Sequence, residues 1–101
     1  MTKSPKIKIT VLKKMFNQDL ANEYCQSVTP CHVFNEGQEF IVENEKPTGF
    51  CDWAWNDIYK VYLTLRWKGN FTPWMKNENN VITCCTDGIH PVVFKLERIG
   101  D

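Results

Sequence analysis

No apolar run in the chain approaches the roughly 20 residues that a bilayer-spanning helix needs. The opening Met-Thr-Lys-Ser-Pro-Lys leads into an alternating pattern rather than into the apolar segment of a signal peptide. Neither sign of charge prevails, because twelve basic and twelve acidic side chains cancel. Without a long run of either sign, attraction to nucleic acid or to an anionic membrane has no evident source. A Walker loop, G-x-G-x-x-G, G-x-S-x-G and H-E-x-x-H are all missing, which removes the usual phosphate, dinucleotide, nucleophile-elbow and zincin signatures. There is no Cys-x-x-Cys knuckle, no internal repeat and no linker. A chain of 101 residues then reads as one domain, 1–101, with room for a single core. Five cysteines, with Cys84 and Cys85 adjacent, suit reduced thiols in the cytoplasm better than a secreted disulfide framework. The sequon Asn70-Phe71-Thr72 would be silent there.

What is present centres on one stretch, from Pro47 to Lys68. Ala54, Ile58, Val61, Tyr62 and Leu65 recur at the spacing of a buried helical face, with neither Pro nor Gly before Gly69. Asp52 is the expected N-cap, and Arg66 and Lys68 complement the other end, where Gly69 is the expected stop. A helix over Asp52 to Lys68 would be about 25 Å long. A second stripe, Trp55, Tyr59, Leu63 and Trp67, widens the apolar arc beyond half the circumference, whereas a surface helix needs only about 100°. Loops, a second copy of the chain or a ligand must cover the surplus. Phe71, Trp74 and Met75, in the irregular connection that follows, are candidates.

Around this helix the pattern alternates. Ile7, Ile9 and Val11 share one face of a first strand, with Lys6, Lys8 and Thr10 on the other. A short helix capped by Asn17 runs to Tyr24, pairing Leu20 with Tyr24. Phe40 and Val42 oppose Glu39, Ile41 and Glu43 in a second strand. Val81–Cys85 and Pro91–Ile99 flank the turn signal Asp87-Gly88 as an antiparallel hairpin, with Val92, Phe94 and Leu96 on one face. The order β-α-β-α-β-β predicts an α+β fold, a small antiparallel or mixed sheet packed on one long central helix with one short helix beside it.

Two places could carry chemistry. Cys51, just before the long helix, would feel free N–H groups and the helix dipole, which favour thiolate, unless it is simply a small buried apolar residue. The turn Cys85-Thr-Asp87-Gly-Ile-His90 sets a thiol, a carboxylate and an imidazole close together. Alternation sends Cys84 and Cys85 to opposite faces, and Cys85, at the mouth of the turn, is expected to be the exposed one. A cysteine enzyme would use Cys51 or Cys85 as nucleophile, His90 as base and Asp87 as its orienting partner. A zinc site would draw on Cys31, His32, Cys51 and Cys85, assembled from separate loops.

Pro47-Thr-Gly49-Phe-Cys51-Asp-Trp-Ala54-Trp55, taken with Cys85-Thr-Asp87-Gly88-Ile-His-Pro91-Val-Val-Phe94, resembles a family of small prokaryotic cysteine-containing proteins of about this length. Its P-x-G-x-C-x-x-A and C-P-D-G-x-R-P-V-x-F signatures fall on Pro47, Gly49, Cys51 and Ala54, and on Cys85, Asp87, Gly88, Pro91, Val92 and Phe94. Thr86 stands where the signature has Pro, and His90 where it has Arg. The resemblance implies a fold and the position of a site, but no reaction. The expectation is a small cytoplasmic binding domain with a thiol-containing pocket where the helix start meets the Cys85–His90 turn. It would self-associate through Trp55, Tyr59, Leu63 and Trp67, without nucleic acid, membrane or a required cofactor. A cysteine-dependent enzyme and a zinc-stabilised module are the alternatives.

Overall fold

A computed structural model describes residues 5–26 and 29–100. Six elements follow in the order β1 (Lys6–Lys14), α1 (Gln18–Tyr24), β2 (Glu39–Val42), α2 (Asp52–Arg66), β3 (Asn80–Cys84) and β4 (Val92–Ile99). The four strands form one antiparallel sheet, ordered β2-β1-β4-β3. This is the expected α+β architecture, with α2 lying across one face. The inward positions Ile7, Ile9, Val11, Val42, Val81, Val92, Phe94 and Leu96 are all buried, against Ala54, Ile58, Val61, Tyr62 and Leu65 of α2. No other helix lies on the opposite face among the described residues, where Lys8 pairs with Glu39 and Glu97, and Lys95 with Glu97. With a single covering layer, the radius of gyration is 14.8 Å, above the about 13 Å of a compact domain of 100 residues. No described helix is long and apolar enough to cross a membrane.

The ends of the helices depart from expectation. The N-cap of α2 is Cys51, in extended backbone and without a side-chain cap bond. Asp52 is the first helical residue, and its carboxylate pairs with the Lys46 ammonium instead of the first-turn amides. At the other end Lys68, not Gly69, takes the left-handed conformation, at φ 70°. Lys68 N–H donates to Leu65 O at 3.1 Å and Gly69 N–H to Thr64 O at 2.8 Å, the paired bonds of a Schellman cap. Gly69 is needed for closeness: a Cβ there would stand 2.8 Å from Thr64 Cγ2 and 2.9 Å from Thr64 O. Asn17 does not cap α1 through its side chain. That amide donates to Gly88 O at 2.6 Å, because the chain leaving β1 runs beside the β3–β4 turn. Leu20 and Tyr24 are exposed, and Ala21 is the residue α1 buries.

Two regions outside regular structure hold the layers together. Phe34, 1% exposed, meets Phe40, Phe50 and Phe94 at centroid distances of 6.0, 5.0 and 5.2 Å. Arg98, on the same strand parity as Leu96, sends its guanidinium to the end of α2. Its Nη1 donates to Leu65 O at 2.7 Å and Gly69 O at 2.8 Å, and its Nη2 to Glu78 O at 2.7 Å. Phe71 and Met75 pack against the core as expected, whereas Trp74 is 70% exposed and meets the Phe71 ring edge-on, at a centroid distance of 5.7 Å, outside that core.

Candidate functional site

The turn joining β3 to β4 is built by Asp87. Its Oδ1 accepts the N–H groups of Ile89 and His90, both at 2.9 Å, an arrangement to which a short acidic side chain is suited. Its Oδ2 lies 3.2 Å from His90 Nδ1. The His90 ring stacks on Phe16, with centroids 5.7 Å apart and planes 16° from parallel. Met15 N–H donates to Pro91 O and Asn17 N–H to Ile89 O, which fastens the end of β1 along the turn. A carboxylate at Nδ1 favours the tautomer protonated there, leaving Nε2 as a hydrogen-bond acceptor.

The start of α2 meets this turn, as expected, through residues that sequence reasoning had not singled out. Thr86 N–H donates to Asp57 Oδ2 at 2.7 Å, and Thr86 Oγ1 lies 2.9 Å from both Asp57 oxygens. Trp53 Nε1–H donates to Thr86 Oγ1 at 3.1 Å. Trp53 and Asp57 stand one helical turn apart, so their side chains share a face of α2. That spacing, next to a threonine in a turn, was the signal available.

The expected exposures of Cys84 and Cys85 are reversed. Cys85 is buried, 7% exposed, and its Sγ accepts the Val92 N–H at 3.3 Å; Cys84 is the exposed member of the pair. The reason is register. Cys85 has the parity of Val81, whose partner Leu96 faces the core, while Cys84 pairs with Val93 on the outer face. Cys51 and Cys31 are half-buried and packed against the core, and His32 is exposed. No hydrogen bond joins His90 to a thiol among the described residues. Asp87 and His90 are thus brought together, but the nucleophile–base contact of a thiol enzyme is not formed. Nor do three or more His, Cys, Asp or Glu side chains gather among the described residues as a metal ion would require. An open concavity of about 320 Å³ is lined by Lys14, Pro30 and Glu36, with no cysteine among them.

Asp87 titrates below its ordinary value. Partial burial works against this by raising the pKa, and is outweighed by the N–H groups of His90 and Ile89 and by the His90 side chain. A carboxyl whose folded pKa is depressed stabilises the fold at neutral pH, and that contribution fades as pH falls through the depressed value. Asp87→Asn keeps an oxygen for the two amides but cannot ionise. It should flatten the acid limb of a plot of melting temperature against pH, while leaving the neutral plateau lower by about 1 kcal/mol or less. An acid limb as steep as the parent's would show that other carboxylates set it.

No protein-family model matches the chain, and neither a curated protein nor a solved structure is found that matches it.

Proposed function

We propose that this chain is a small cytoplasmic binding domain that associates with a second copy of itself through the outer stripe of α2. The observation that carries the reading is that this stripe is only partly covered by the chain's own core. Trp55 and Leu63 are half-buried, Tyr59 is 43% exposed and Trp67 is 65% exposed. Exposed aromatic side chains of this kind are the usual anchors of protein interfaces. Charge favours a second copy as the occupant. Asp52 and Asp57 lie in the first half of α2, and Lys60, Arg66 and Lys68 toward or beyond its end. Two such helices crossing antiparallel about a twofold axis would set acidic end against basic end. The location is supported by the cysteines, all five of which are free, with Cys84 exposed.

Sedimentation at increasing concentration is the test. The parent protein should self-associate reversibly, and Trp67→Lys should weaken that association by about 2 kcal/mol, ~30-fold in Kd. Lysine suits the end of a helix, so the variant should keep its fold. A parent that remains monomeric at its solubility limit, or a Trp67→Lys variant that associates equally well, would overturn the reading.

A further inference from the structure

The two free edges of the sheet differ in their chemistry. Register decides which backbone groups point outward. Cys85 N–H donates to Val92 O and Arg98 N–H to Asn79 O, so the odd-numbered residues of β3 bond to β4. In an antiparallel ladder hydrogen-bonded and non-bonded pairs alternate, which leaves the N–H and C=O groups of Asn80, Ile82 and Cys84 directed at the open side. None of these groups has another backbone partner among the described residues. On the far edge, the bond from Val11 N–H to Gln38 O fixes the opposite parity for β2, leaving Glu39, Ile41 and Glu43 outward.

Edges are normally guarded by charge, proline, a bulge or shortness. β2 is guarded: it has four residues, and Glu39 and Glu43 flank Ile41. β3 reads Asn-Val-Ile-Thr-Cys, without charge or proline, and pairs with β4 without a register shift. Ile82 is 41% exposed and Cys84 is exposed.

We infer that β3 pairs antiparallel with β3 of a second copy, about a twofold axis at Ile82, joining two sheets into one of eight strands. This register sets Ile82 against Ile82 and Asn80 against Cys84, and each such pair can exchange both of its N–H to O bonds. No like charges meet. The same operation on β2 would set Glu39 against Glu43 of the other copy twice, which is repulsive. The edge is therefore self-complementary where its counterpart is self-excluding, and this selects a second copy as the occupant. The contact is separate from the helix stripe and shares with it only the kind of partner.

Residue-resolved amide hydrogen exchange tests the edge directly. Between micromolar and sub-millimolar protein, the amides of Asn80, Ile82 and Cys84 should slow by at least about tenfold, while Val81 and Thr83, already bonded to β4, set the internal reference. Ile82→Glu gains a partner within its own chain, since Ile82 lies opposite Lys95, but opposes its own charge across the axis. It should fold normally and lose the concentration-dependent protection. Trp67→Lys should retain it, which separates failure of this contact from failure of the stripe. Equal exchange at both concentrations in the parent, or undiminished protection in Ile82→Glu, would overturn the inference.

Discussion

Replacing Arg98 with alanine should lower the stability of the fold by about 3 kcal/mol, roughly 15 °C in melting temperature for a domain of this size. The size of the effect follows from what the side chain holds. Nη1 closes on the carbonyls of Leu65 and Gly69, Nη2 on that of Glu78, and Nε reaches Asn79 Oδ1 at 3.2 Å, while the Arg98 N–H bonds to Asn79 O. A positive charge is thereby placed at the negative end of α2 and tied to the segment before β3. Bonds from a charged donor are worth about 1.5–3 kcal/mol each, but water can reach part of this half-buried site, so their full sum is not expected. Lysine has no planar fork, and Arg98→Lys should recover less than half of the loss. Urea denaturation with amide exchange at 67–79 is the measurement. A midpoint within about 0.5 kcal/mol of the parent would show that water replaces the guanidinium without cost.

Phe34→Ala should cost about 3–5 kcal/mol, through lost burial and the cavity left behind. Phe34 packs edge-on against Phe40 and Phe94 and at a tilt against Phe50, and Phe50 in turn meets Trp55 at 6.1 Å. The ring thus joins an irregular segment to the sheet, to the turn before α2 and, through Phe50, to α2 itself. Its removal should loosen the neighbourhood of Cys31, which is half-buried against the same core. The expected readout is a loss of near-ultraviolet dichroism, with faster alkylation of Cys31 than in the parent. Phe34→Leu, which refills much of the space, should cost about 1.5 kcal/mol or less. A stable alanine variant with unchanged thiol reactivity would place the anchor of that segment elsewhere.

These two residues mark where the sequence becomes hard to read. The buried stripe of α2 and the inward faces of the strands are local patterns, and each residue assigned to them is buried except Phe40, which is half-buried against the core. Phe34 sits in no period, so nothing around it announces that three rings will close on it. Arg98 did carry a signal. It continues the inward parity of Val92, Phe94 and Leu96, and a charge at such a position needs carbonyl or carboxylate partners. Cys85 was legible by the same reasoning, since Val81, Thr83 and Cys85 share a parity, and its proximity to the turn was the weaker guide. The meeting of the α2 start with the turn was anticipated. Its agents, Trp53, Asp57 and Thr86, were not, because their pairing crosses 29 to 33 residues of chain.

The position of β1 has a consequence for how the molecule is made. It lies between β2 and β4, and its first residue, Lys6, pairs with Ile99. A chain synthesised from its amino end must therefore keep one side of this inner apolar strand unzipped until β4 has been translated. Helix α2 can form early from local contacts, but the sheet beneath it is completed only by the last strand to emerge. Such long-range closure slows folding and leaves a sticky intermediate, so yield during expression should respond to temperature and to chaperone supply more sharply than the stability of the finished fold would suggest.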